Sequence, residues 1–128
     1  MKRNNTNQPY GWTTREQAQQ IVDCGVDINT ADMKYYVDNG NYPSPRGDEK
    51  LDYYLPCWSL GKLMSMLPHS IKGGYWFDCD FQNKCIDMPY VMSYKFGDEF
   101  AFVVSKQTMI ECAVEMIVWL ATEKKITF

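Results

Sequence analysis

The chain has 128 residues, 45% of them hydrophobic and 15% aromatic, and carries a formal net charge of −3. That length fits one domain burying about two-thirds of the surface its unfolded form exposes. The charge excludes a general nucleic-acid binder, which needs a basic stripe, and is too small for an acidic mimic of DNA.

Residues 1–12, MKRNNTNQPYGW, are basic and polar and lack the apolar core of a secretory signal. They read as a flexible tail ahead of a single domain over 13–128, with the cytoplasm as the expected compartment. No apolar run approaches the roughly 18–20 residues that span a bilayer, so no membrane role is expected.

The first element is a helix beginning at TTREQAQQIVDCG. Thr13 is the expected cap with Glu16 reaching back, Ala18, Ile21 and Val22 form one apolar stripe, and Gly25 suits a helix stop. In VDINTADMKYY, Val26 and Ile28 are expected anchors, with a short helical turn from Thr30. Residues 38–50, DNGNYPSPRGDEK, read as a loop in which Pro43 and Pro45 forbid regular pairing.

LPCWSLGKLMSMLP, residues 55–68, holds a cysteine, a tryptophan and a serine in a row. Leu60, Leu63, Met64 and Leu67 share a helical face, Ser59 suits the cap and Pro68 stops the run. A nucleophile at Cys57 or Ser59 needs a base, and His69 is the only histidine in the chain. Two helical turns separate it from Cys57, so the stretch reads as a helix start.

From residue 75 the period changes to two. YWFDCDF (75–81), DMPYVMSYKF (87–96) and EFAFVV (99–104) read as three antiparallel strands. Tyr90, Met92, Tyr94 and Phe96 share one face of the second strand. Facing them with Phe100, Phe102 and Val104 requires an odd hairpin loop, Gly97-Asp98-Glu99, because a two-residue loop would set Tyr94 against Ala101. On the first strand Tyr75, Phe77, Cys79 and Phe81 then turn inward. The final helix, TMIECAVEMIVWLATEKK, opens with Thr108 and Glu111 and presents Ile110, Ala113, Val114, Ile117, Val118 and Ala121 as an apolar face.

The fold class expected is therefore α+β, a three-stranded antiparallel sheet with helices packed on one face, in the order α-α-β-β-β-α. The five cysteines contain no CxxC pair and read as reduced, mostly buried thiols, and a structural zinc site is not indicated. No cofactor is implied.

Three segments, 14–33, 56–68 and 108–126, together resemble a family of small proteins carried by phages and mobile elements of gut bacteria. The resemblance implies a shared fold and genomic setting, and no reaction or site residue.

For function the expectation is a cytoplasmic accessory protein that binds another protein or a second copy of itself. Trp76, Asp78, Asp80, Val91, Lys95 and Val103 share the outer face of the sheet, and an exposed tryptophan among small apolar and charged side chains resembles an interface anchor. The alternative for that face is cover by the N-terminal tail or by the 38–50 loop. The alternative function is a small metal-dependent hydrolase or nucleotide-handling enzyme using Asp78 and Asp80, which project together from one strand. Tyr35, Tyr36, Tyr42, Tyr53 and Tyr54 flank the proline loop among acidic neighbours, a setting that suits core cover or a protein surface better than bases.

Overall fold

The computed structural model describes residues 11–36, 42–47, 54–82 and 87–125. Its elements in chain order are α1 (Arg15–Asp23), a 3-10 turn (Ile28–Thr30), β1 (Met33–Tyr36), β2 (Ser44–Pro45), β3 (Tyr54–Cys57), α2 (Leu60–Met66), β4 (Ser70–Ile71), β5 (Tyr75–Phe81), β6 (Tyr90–Phe96), β7 (Glu99–Lys106) and α3 (Met109–Thr122). The α+β class holds, but the single three-stranded sheet does not. Two antiparallel sheets are present, one ordered β2-β1-β3 and the other β4-β5-β6-β7.

The strands absent from the sequence reading are the short ones. β1 and β3 have four residues each and β2 and β4 two, too few for a period-two pattern to stand out. Proline hid two of them. Pro45 pairs with Met33 and Pro56 with Lys34, so proline does not prevent pairing here. Both prolines lie in the outer strands β2 and β3, where a missing N–H can face away from the ladder.

α1 starts one residue later than its sequence suggests. Thr14 is the cap, with its hydroxyl accepting from Gln17 N–H and the Gln17 side chain accepting from Thr14 N–H at 2.9 Å. Thr13 is instead buried and pairs with Trp58: its N–H donates to Trp58 C=O at 2.9 Å, and its hydroxyl accepts from Trp58 N–H at 3.1 Å. Gly11 and Trp12, placed in the tail by sequence, join the same seam: Leu60 N–H donates to Gly11 C=O at 2.7 Å, and Trp12 bridges to Ser59. Ile28 is exposed rather than an anchor, whereas Val26 is buried as expected.

α3 is central. Its buried residues are Ile110, Cys112, Ala113, Val114, Met116, Ile117 and Leu120, which occupy more than one helical face. On the sheet side the Cys112 thiol donates to Tyr90 C=O at 3.3 Å, and the Trp119 ring lies on Phe102. On the opposite side α3 meets α1 and α2. Thr108 caps the helix with Glu111, as the sequence predicts.

At its C-terminus Lys124 takes φ +56°, while Lys125 N–H donates to Leu120 C=O at 2.9 Å and Lys124 N–H to Ala121 C=O at 3.2 Å. This is the Schellman arrangement, in which glycine normally holds the left-handed position. Lys124→Gly is therefore expected to stabilise the protein by about 0.5–1 kcal/mol in a urea titration. A loss of stability would show that the lysine side chain contributes more than its backbone strain costs.

The β6–β7 hairpin departs from the expected parity in an informative way. Phe96 pairs with Glu99, so the loop is the two residues Gly97-Asp98, with Gly97 at φ +60°. Glycine in the first loop position is the signature of a type II′ turn. Two-residue closure alone would split the core, yet Tyr94 still pairs with Phe102 and Met92 with Val104. The register shifts between Tyr94 and Lys95, because Lys95 pairs with Phe100 and Ala101 is an extra residue on β7. The bulge restores the parity that the turn removes.

Candidate binding face

Pairing across β5, β6 and β7 places the side chains of the outer face in three rows. Trp76, Lys95 and Phe100 form the first, Asp78, Ser93 and Val103 the second, and Asp80, Val91 and Ser105 the third. All six residues singled out by sequence stand on this face. Phe100 joins them because of the bulge at Ala101, which turns it away from the inward position expected for it. Strict alternation carries no sign of such a bulge, so Phe100 was not legible as a member of the face.

The face is open. Trp76 is 61% exposed, Phe100 54% and Val103 47%. Ser93, in the middle row, is short enough to be buried despite pointing the same way. The Lys95 ammonium stands 3.7 Å from the Asp78 carboxylate, both half exposed, so this ion pair adds little stability and fixes the charge pattern instead. One Asp80 oxygen accepts from Phe81 N–H at 2.9 Å, on the strand edge that β4 leaves uncovered.

The inner face is less complete than the sequence suggests. Tyr75 and Phe77 are half-buried, but Cys79 and Phe81 are exposed, since α3 packs on β6 and β7. Cys79 is a free thiol; Cys85 lies outside the described residues, as do residues 1–10, most of the 38–50 loop and Tyr53. Burial raises the Cys57 thiol and pushes that of Cys112 up to about 11, which keeps both protonated and unreactive at neutral pH.

Ser59 acts as the cap of α2. Its hydroxyl accepts from Lys62 N–H at 3.0 Å and donates to the Asp32 carboxylate at 2.6 Å, while Asp32 also accepts from Ser59 N–H. Asp32 thus fastens β1 to the start of α2, a role that sequence spacing gave no means to find. Cys57 is buried and shares hydrogen bonds with Thr13. Among the described residues no three histidine, cysteine, aspartate or glutamate side chains come together as a metal site would require.

The tyrosines divide. Tyr35 is buried and donates to Thr13 C=O at 2.6 Å, and burial raises its phenol well above the usual value. Tyr36 and Tyr54 meet edge to face at 4.9 Å around the Lys34 ammonium, which stands 5.2 Å and 4.7 Å from their ring centres. These rings close the small sheet, and only Tyr42 is well exposed among those described.

No described helix is long and apolar enough to cross a membrane. Comparison with protein-family models, with curated proteins and with solved structures finds no match.

Proposed function

We propose that this protein works by docking onto another protein through the open face of the β4–β7 sheet, and that it performs no chemistry there. The observation that carries this reading is the row Trp76–Lys95–Phe100, in which two large aromatic side chains stand in solvent on either side of a cation. Leaving both rings in water forgoes burial that each could contribute, and such patches mark interfaces on folded domains. Tryptophan is also among the residues most enriched at binding hot spots. A cytoplasmic location and a phage or mobile-element setting belong to the same proposal; the second rests on the segments 14–33, 56–68 and 108–126 and is tested by the neighbouring genes.

Trp76→Ala is the direct test. Its melting temperature is expected to stay within about 2 °C of the parent, because the side chain contributes little to the core. Immobilised in parallel with the parent protein, the variant is expected to lose a partner that the parent retains from cell extract. A variant that unfolds would place Trp76 in the core, and one that captures the same proteins would clear this face of the role.

A further inference from the structure

We propose that the groove between the C-terminal ends of α1 and α3 binds an arginine side chain of a partner peptide. The groove encloses about 740 Å³ and lies on the opposite side of the sheet from the face described above. Its lining includes Asp23, Phe102, Glu115, Trp119, Glu123 and Lys124. The floor is aromatic: the Trp119 ring stacks on Phe102 at 4.7 Å with 9° between planes, and on Tyr94 at 6.4 Å.

The last turns of the two helices offer carboxylates to that floor, although Lys124 and Lys125 follow the C-cap of α3 directly. A helix C-terminus carries partial negative charge and favours lysine, arginine or protonated histidine in its last turn. Neither α1 nor α3 has a basic residue there. Instead α1 ends on Asp23 and α3 is capped by Glu123, so two carboxylates and two negative helix ends meet at one groove. Glu115 is engaged by Lys106 at 3.3 Å, and one Asp23 oxygen accepts from the Gln19 amide at 2.8 Å. Lys124 is the single ammonium in the lining, and Lys125 stands 6.0 Å from the Trp119 ring centre, at the outer limit of a cation–π contact. The chain's own Lys125 thus stands over the Trp119 ring without belonging to the groove lining.

A guanidinium fits these features together. It is planar and stacks on indole, its donors suit carboxylates of the kind that Asp23 and Glu123 bring to the lining, and its three-carbon stem suits an apolar wall. A compact ammonium would satisfy the charge but not the stacking.

The test uses the whole protein and three probes: N-acetylarginine amide, N-acetylnorleucine amide, which keeps an apolar stem without the charge, and spermidine. Binding is read from the Trp119 indole resonance in a two-dimensional NMR titration. The arginine amide is expected to bind weakly, with an affinity on the order of millimolar, and to shift that resonance. The norleucine amide is expected to shift it at least about tenfold less well. Asp23→Asn with Glu123→Gln is expected to raise the melting temperature of the free protein while weakening arginine binding by about fivefold or more. That opposition separates a ligand site from a structural one, since purely structural carboxylates would move stability alone. Equal binding of the arginine and norleucine amides, undiminished binding to the double variant, or preference for spermidine would each overturn the assignment.

Discussion

Deletion of residues 108–128 is expected to abolish the cooperative unfolding transition. α3 contributes seven buried residues, and it is the element that the larger sheet, α1 and α2 all contact. Burial of those side chains is worth on the order of 10 kcal/mol gross, which matches the whole net stability of a typical domain. Without α3, Met92, Tyr94 and Val104 lose their cover on the inner sheet face, and Leu63 loses its neighbour across the core. The two sheets would then have nothing in common to pack upon. Differential scanning calorimetry is the measurement, and the expected trace is a broad, nearly featureless one. A truncated chain with a sharp heat-absorption peak would show that the remaining elements hold a core of their own.

Trp58→Ala is expected to remove about 3–5 kcal/mol of stability, the range for deleting a fully buried large aromatic side chain. Trp58 is wholly buried, and its indole N–H donates to Thr30 Oγ1 at 2.9 Å. Its backbone N–H and C=O bond to the Thr13 hydroxyl and N–H, so the residue ties together the start of α1, the 3-10 turn and the approach to α2. In a urea titration the midpoint falls by about 2 M if the slope is near 2 kcal/mol per molar. Trp58→Phe keeps most of the apolar volume and loses only the indole donor, so its loss is expected to be well under half as large. A midpoint unchanged in Trp58→Ala would mean that the ring packs loosely, contrary to its burial.

Long, periodic elements were readable from sequence and short ones were not. β5 was legible over its full length because seven alternating residues leave little ambiguity, and α3 because both its apolar spacing and its Thr108 cap agree. α2 was legible for the same pair of reasons, with Ser59 as cap and Leu63 as its buried centre. The small sheet was missed because its strands owe their existence to distant partners, such as Met33 lying between Pro45 and Cys57. No local pattern encodes a pairing of that kind. The cap of α1 was misplaced by one residue because Thr13 and Thr14 are chemically equal as caps, and only the burial of Thr13 against Trp58 decides between them.

The candidate face was mostly visible, since residues two apart on an exposed strand must share a side. Its aromatic partner Phe100 was not, because one inserted residue reverses the phase of everything on the turn side of it. The groove between α1 and α3 was invisible from sequence, as Asp23 and Glu123 stand one hundred positions apart.

The extra residue at Ala101 has a further consequence, for what the hairpin gives up. Without it, continuous alternation on β7 would put the ring of Phe100 on the side shared with α3. With it, a phenyl group that a fully buried site would reward with roughly 1.5–3 kcal/mol is held instead at the water boundary. The insertion keeps Tyr94 opposite Phe102 in the core, but a serine or threonine at position 100 would sit there at lower risk of aggregation than an exposed phenyl ring. The single-residue insertion therefore holds the core in register while leaving at the water boundary an aromatic ring whose burial is open to any molecule that closes over it.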